Sequence, residues 1–141
     1  MRMIWMALLL LAPLSACSGK SDTEHKPPPP DVPANFSGPL DARGGDPAWG
    51  LTVRGTTLVL TRPNQASMTL AAAAPSIDLH QAAWAAKMPD GQSMTATFYA
   101  SPCTDPAGAV TYPFTAEIDL PGETPLNGCG GPPPQVAKGG R

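Results

Sequence analysis

The 141-residue chain is poor in charge, in aromatic side chains and in long apolar runs. Charged residues make up 14% and aromatic residues 6%, whereas proline and glycine contribute 19 and 14 residues. A helix bundle or coiled coil needs long proline-free runs rich in Glu and Lys, so the composition disfavours both. The net charge of −2 includes no cluster of Lys or Arg that would neutralise phosphates. We therefore expect no nucleic-acid partner.

Histidine and cysteine, the side chains that most often carry catalysis or ligate metals, are also scarce, with two and three residues. The sequence contains no G-x-S-x-G, no H-E-x-x-H and no phosphate-binding glycine loop. His80 is the one histidine in the segment that we assign to the folded domain, and we interpret it as solvent-exposed. These absences predict a protein that is not an enzyme and that binds no cofactor or metal.

Apolar residues are concentrated at the N-terminus, where they account for 13 of the first 16 positions. Their uninterrupted run, from Met3 to Ala12, has ten residues, whereas a helix needs about 20 to cross a bilayer. Arg2 precedes the run and Pro13 ends it. This layout is typical of a secretory signal peptide, which we predict for residues 1–16.

The four residues Leu14-Ser15-Ala16-Cys17 resemble the lipobox of bacterial lipoproteins, in which a branched residue and two small ones precede the lipid-accepting cysteine. The resemblance implies that the chain is cut before Cys17 and that acyl chains on Cys17 hold the protein at a membrane. Ser18, in place of an aspartate, points to the outer membrane, with the protein on its periplasmic side. An ordinary signal peptide followed by a coincidental cysteine is the alternative.

Composition divides the rest of the chain into a tether at 17–35, a domain at 36–130 and a tail at 131–141. The tether has too few apolar side chains to offset the entropy of ordering, so we predict disorder. Its four consecutive prolines, 27–30, favour polyproline II, and its maximum reach is roughly 55 Å. The tail, rich in glycine and proline, is predicted to be disordered for the same reason.

The domain alternates apolar and polar residues over short stretches that Pro and Gly separate. Such alternation runs through 49–53 and 114–120 and indicates strands with one buried face. Residues 77–88 fit both a helical and a strand spacing, but the turn signal at 89–91 and the alternation at 94–100 favour a hairpin, with a helix over 77–87 as the alternative. We predict an all-β domain, a small antiparallel barrel or sandwich of six to eight strands, and a monomer.

Cys103 and Cys129 remain once Cys17 is assigned to lipid, and an exported protein meets conditions that oxidise thiols. We predict a disulfide between them. It closes a loop of about 26 residues, for which chain entropy contributes roughly 3.5 kcal/mol. A metal or redox site using both thiols is the alternative, which the absence of C-x-x-C and the single domain histidine disfavour.

Further motifs resemble a family of uncharacterised bacterial lipoproteins that show G-x-x-P-x-W, then C-x-D, and end in G-C-G. In this chain the motifs occupy residues 44–49, 103–105 and 128–130. The resemblance implies a periplasm-facing domain with the Cys103–Cys129 bridge and no established activity. The chain departs from the family after C-x-D, where Pro106-Ala107 replaces the usual Met-Ser.

Three motif residues are candidates for binding or for shaping a turn: Asp46, Trp49 and Asp105. We expect Asp105 to form an Asx-type turn and Trp49 to lie in the core or at a barrel mouth. The predicted function is non-catalytic binding of an envelope protein or glycan by a lipid-anchored domain.

A weaker resemblance, to the small lipoprotein inhibitors of c-type lysozyme, implies an alternative function: inhibition of a peptidoglycan-cleaving enzyme. These inhibitors are also lipid-anchored, disulfide-stapled β-barrels, so the likeness is one of architecture. The alternative from another class is a hydrolase of envelope glycans or lipids.

Overall fold

A computed structural model of the chain describes residues 34–105 and 110–133. The predictions for the leader, Cys17, the tether up to residue 33, residues 106–109 and the tail after Pro133 lie outside the described residues. Within the described part no helix is long and apolar enough to cross a membrane. The described residues form eleven strands: β1 Leu40–Gly45, β2 Ala48–Arg54, β3 Thr57–Thr61, β4 Met68–Ala71, β5 Ser76–Ile77, β6 Gln81–Lys87, β7 Ser93–Tyr99, β8 Cys103–Thr104, β9 Thr111–Tyr112, β10 Phe114–Asp119 and β11 Leu126–Gly131.

Nine of these strands form one antiparallel sheet in the order β4-β3-β2-β1-β11-β10-β7-β6-β5. Strands that are close in sequence pair with each other, and the first strand also pairs with the last, with Arg43 of β1 opposite Cys129 of β11. The remaining two, β8 and β9, follow β7 and precede β10 in the sequence, and they form a separate hairpin. We call β8–β9 the outer hairpin.

The two edges of the sheet meet through the segment that holds β4 and β5. Its first part, β4, pairs with β3, and its second part, β5, pairs with β6. Between them, Ala72 forms an isolated bridge with Ala86, and the Ala73 amide donates to the Ala85 carbonyl at 3.0 Å. The sheet therefore curls into a small barrel. Its wall has eight strand positions, and β4 and β5 occupy one of these positions together. This confirms the predicted all-β fold class.

Because neighbouring strands run in opposite directions, their connections alternate between the two ends of the barrel. One end holds the start of β1, the β2–β3 turn, the β5–β6 turn, the end of β7 and the start of β10, and we call it the entry end, because the described chain begins there. The other holds the β1–β2, β6–β7 and β10–β11 turns, and we call it the far end.

The barrel interior is filled by apolar side chains from alternate strand positions. Trp84 and Phe98 pack edge to face in it with ring centroids 5.7 Å apart, and the Trp84 indole N–H donates to the Gly55 carbonyl at 3.0 Å. Phe36 packs on Phe114 at 4.7 Å near the entry end. The interior side chains include Leu40, Ala42, Trp49, Leu51, Val53, Leu58, Leu60, Leu70, Ala82, Ala86, Met94, Ala96, Ala116, Ile118 and Leu126.

The hairpin predicted around residues 89–91 is present as β6–β7. Gly91 takes φ +86° in its turn, a left-handed conformation that glycine adopts without strain. The alternative helix over 77–87 is wrong, because this stretch forms the end of β5, a turn and β6. The period-two alternation of Ala82, Trp84 and Ala86 toward the interior outweighs the helical spacing of the same segment.

Candidate functional site

The outer hairpin lies on the outside of the barrel wall and is covalently attached to it. In β11 the small residues Gly128 and Gly130 fall on the interior face, so the intervening Cys129 points outward. Cys129 is nevertheless buried, and it forms a disulfide with Cys103 of β8 at a Cα–Cα distance of 5.3 Å. The predicted bridge is confirmed, and it fastens the hairpin to the last strand.

Arg43 contacts both strands of the outer hairpin. It projects outward from β1, and its Nη2 lies 2.8 Å from the Asp105 carboxylate, which follows β8. Its guanidinium also lies 5.2 Å from the centre of the Tyr112 ring in β9, a cation–π arrangement. With side-chain exposures of 54% for Arg43 and 18% for Asp105, the ion pair adds only about 0–1 kcal/mol to stability. It links β1 to the outer hairpin in addition to the disulfide.

A groove of about 860 Å³ opens between the outer hairpin and the β1–β2 turn. Four of the residues predicted as site or disulfide residues line it, although they come from three separate parts of the sequence: Asp46, Cys103, Asp105 and Cys129. The other lining residues are Arg43, Gly44, Gly45, Thr104, Thr115, Asn127 and Gly128. The structure therefore brings residues of the G-x-x-P-x-W, C-x-D and G-C-G motifs together around one groove.

Trp49 supports this groove from inside the barrel. It is 5% exposed, which confirms the expected core position. A Cβ atom added at Gly44 would overlap its indole Nε1, and one added at Gly128 would overlap both the Arg43 carbonyl oxygen and the Trp49 ring. The two glycines therefore allow the ring to lie directly against the backbone that forms the groove floor.

Asp46 and Asp105 differ in their surroundings. Asp46 is exposed in the β1–β2 turn, where its peptide bond to Pro47 is cis. Asp105 is tied to the hairpin by its own amide, which donates to the Val110 carbonyl at 2.9 Å, and to the barrel by Arg43. The sequence argument assigned Asp105 to a turn and missed this ion pair.

Arg43 and Asn127 are groove residues that the sequence argument did not single out. Arg43 alternates with Ala42 and Gly44 in β1, and Asn127 alternates with Leu126 and Gly128 in β11. This alternation predicts an outward direction for each side chain but not a shared groove. Their proximity depends on the pairing of β1 with β11.

The structure does not bring His80 to this groove. His80 is exposed on the β5–β6 turn at the entry end, whereas Asp46 lies on a far-end turn. Its neighbour Asp78 accepts backbone hydrogen bonds from His80 and Gln81 at 2.7 and 2.9 Å. In the described ranges, 34–105 and 110–133, no three His, Cys, Asp or Glu side chains are grouped to hold a metal ion.

Tyr99 stands beside the groove on the outer wall. It is opposite Thr115, a groove residue whose hydroxyl donates to the Ser101 carbonyl at 3.1 Å. Burial raises the pKa of the Tyr99 phenol above its ordinary value, and the negative charges of Glu117 and Asp119 raise it further. The phenol therefore stays protonated, as a hydrogen-bonding group, at neutral pH.

Comparison with known protein families, with curated proteins and with solved structures finds no match for this chain.

Proposed function

We propose that this chain is a lipid-anchored envelope lipoprotein whose barrel binds an envelope protein or glycan in the groove beside the disulfide, without catalysing a reaction. The observation that carries the binding site is the convergence of three separate sequence motifs on that groove. Residues that serve only the core would not need to meet on the outside of the barrel. A recognition surface would explain why they do.

The distribution of cysteines supports the anchor. Cys103 and Cys129 are joined in the domain, which leaves Cys17 as the cysteine outside the bridge. Cys17 follows the apolar leader at the position where the lipobox resemblance requires its lipid acceptor. Ser18 after it favours the outer membrane, so the barrel would face the periplasm.

The geometry of the groove favours recognition over chemistry. The interior side chains are almost completely inaccessible to solvent, so a ligand of this barrel binds on its outer surface. In the groove the charged groups of Arg43 and Asp105 are paired with each other. Such a pair offers hydrogen bonds to a polar partner. It is not the arrangement of a nucleophile beside a base that covalent catalysis requires.

Inhibition of a peptidoglycan-cleaving enzyme is the second candidate. The feature that favours it is the small barrel stapled by one disulfide, the architecture on which the resemblance to lysozyme inhibitors rests. Protection of a lysozyme substrate by the purified protein at micromolar concentration would support this candidate. No protection would exclude c-type lysozyme as the target and leave groove binding in place.

Crosslinking in intact cells tests groove binding directly. A photoreactive amino acid replaces Asn127 in the groove, and in a matched control it replaces Thr69, which is exposed on β4 away from the groove. We expect a discrete crosslinked species from position 127 that is absent from position 69. The charge-removing variant Arg43→Gln should weaken this crosslink while the protein still folds. Equal labelling from both positions would contradict the proposal, and a substrate turned over by the purified protein would favour the hydrolase.

A further inference from the structure

Two large aliphatic side chains are exposed where β5 ends and the turn to β6 begins. Ile77 is 50% exposed and Leu79 is 64% exposed. Of the large apolar residues in the described part of the chain, only Val110, at 47%, is comparable, and it lies on the outer hairpin. Single exposed apolar residues are ordinary, but two on one short turn of a domain with a small core form a local apolar tip.

Hydrogen bonds hold this turn in shape. The Asp78 carboxylate accepts from the amides of His80 and Gln81, and the Asp78 amide donates to the Gln81 carbonyl at 2.9 Å. The His80 carbonyl accepts from the Ala100 amide at 2.7 Å, which ties the turn to the end of β7. The only acidic side chain of the turn is therefore bonded to the turn itself, while Ile77 and Leu79 remain exposed.

The turn lies at the end of the barrel where the described chain begins. Phe36 packs on Phe114 there, just before β1 starts at Leu40. Sixteen residues, 18–33, separate Cys17 from the first described residue, Ala34. If Cys17 is lipidated, the connection to the membrane therefore leaves the barrel at the entry end, on the side of the apolar tip.

We propose that Ile77 and Leu79 insert into the interfacial region of the membrane to which Cys17 is anchored. This inference rests on the proposed lipid anchor. Two aliphatic side chains are too few to hold a free protein on a bilayer, but an anchored protein meets the same surface at high effective concentration. The contact turns the entry end toward the lipid and the far end, with the β1–β2 turn, toward the periplasm.

The test uses tryptophan fluorescence in the chain from Cys17 onward, which is the mature chain that the proposed anchor implies and which keeps every described residue. Without the leader this chain has only Trp49 and Trp84, both buried. Cys17, the cysteine outside the disulfide, is coupled to a maleimide lipid in vesicles of phosphatidylethanolamine and phosphatidylglycerol with brominated acyl chains. Leu79→Trp places an indole on the tip, and Gln92→Trp places one on the exposed β6–β7 turn at the far end as the control.

We expect brominated lipid to quench the Leu79→Trp indole several times more strongly than the Gln92→Trp indole, and Ile77→Ser to reduce this quenching. Equal quenching of the two variants, or none, would overturn the proposal. If the Leu79→Trp indole becomes shielded from solvent as the protein concentration rises without vesicles, the tip contacts a second copy of the chain. This result would also overturn the proposal. Because coupling supplies the anchor chemically, the result does not depend on natural lipidation of Cys17, which mass spectrometry measures separately.

Discussion

At the scale of single residues, two glycines determine how closely Trp49 approaches the barrel wall. Gly44 lies directly opposite Trp49 in the β1–β2 pair, and Gly128 lies on the neighbouring strand β11. The indole occupies the space that side chains at these positions would take. The groove floor is therefore thin, with backbone on its outer side and an aromatic ring beneath.

Gly128→Ala tests this packing. The added Cβ would overlap the Arg43 carbonyl and the Trp49 ring, so backbone or ring must shift. We expect a loss of about 1–3 kcal/mol in the free energy of unfolding, measured by urea denaturation. Gly45→Ala is the matched control, because a Cβ there meets nothing within 4 Å. Equal stability of the two variants would show that the close approach of Trp49 to Gly128 does not exclude a side chain at position 128.

The raised pKa of Tyr99 predicts a pH dependence of stability. Because its folded pKa exceeds the ordinary value of 10.0, the unfolded state loses the phenolic proton first as pH rises. The stabilisation is complete below the unfolded pKa of about 10 and is lost as pH rises through the folded pKa. We expect Tyr99→Phe to make the alkaline decline in unfolding free energy shallower.

The matched variant Glu117→Gln removes one of the charges that raise the Tyr99 pKa. Subtracting the ultraviolet titration of Tyr99→Phe from that of the unmodified protein gives the Tyr99 curve, with an expected midpoint above 10. The same difference measured in the Glu117→Gln background should lie at lower pH. An unchanged midpoint would mean that the Glu117 charge does not contribute to the raised pKa of Tyr99.

At the scale of elements, the outer hairpin depends on contacts with the barrel. Strands β8 and β9 have two residues each and pair only through Cys103–Tyr112 and Thr104–Thr111. A hairpin this short is not stable alone. The disulfide, Arg43 and the packing of Pro113 against Gly131 connect it to β1 and β11.

Removing the bridge with Cys103→Ala and Cys129→Ala together should lower the free energy of unfolding by about 3.5 kcal/mol, since the denatured chain regains the freedom of a 26-residue loop. In hydrogen exchange we expect faster exchange at the outer hairpin while β2 and β3 keep their protection. Unchanged exchange at residues 103–105 would mean that Arg43 and the backbone pairing suffice. Crosslinking through Asn127 should fall in the same variant if the hairpin forms one side of the binding site.

Some elements were predictable from local pattern and others were not. The β2–β3 and β6–β7 hairpins and β10 follow from alternation and turn residues over a few positions. We did not predict β1, whose Asp41, Arg43 and two glycines favour a strand weakly. It forms because it has neighbours on both sides, β2 and β11. The outer hairpin was missed for the same reason, since contacts outside its own sequence stabilise it.

At the scale of the whole molecule, the groove forms because the first strand of the barrel pairs with the last. The G-x-x-P-x-W motif lies in the first part of the barrel and the G-C-G motif in its last strand, and they meet because β1 pairs with β11. Pairing between segments so far apart in sequence has no local signal. The sequence singles out the individual residues Asp46, Trp49, Cys103, Asp105 and Cys129, but it does not predict the groove that four of them line.

The anchor gives the last prediction, and it concerns the whole chain. With Cys103 and Cys129 bonded to each other, modification by lipid should occur at Cys17 alone. Mass spectrometry of the protein from membranes should find an N-terminal Cys17 that carries acyl chains, and Cys17→Ser should abolish both the acylation and the release of the leader. The variant keeps Cys103 and Cys129, so its barrel should still fold. A mature chain that begins at Ser18, or one that retains the leader with an unmodified Cys17, would contradict the anchor. Binding in the groove would then have to be explained for a protein free in its compartment.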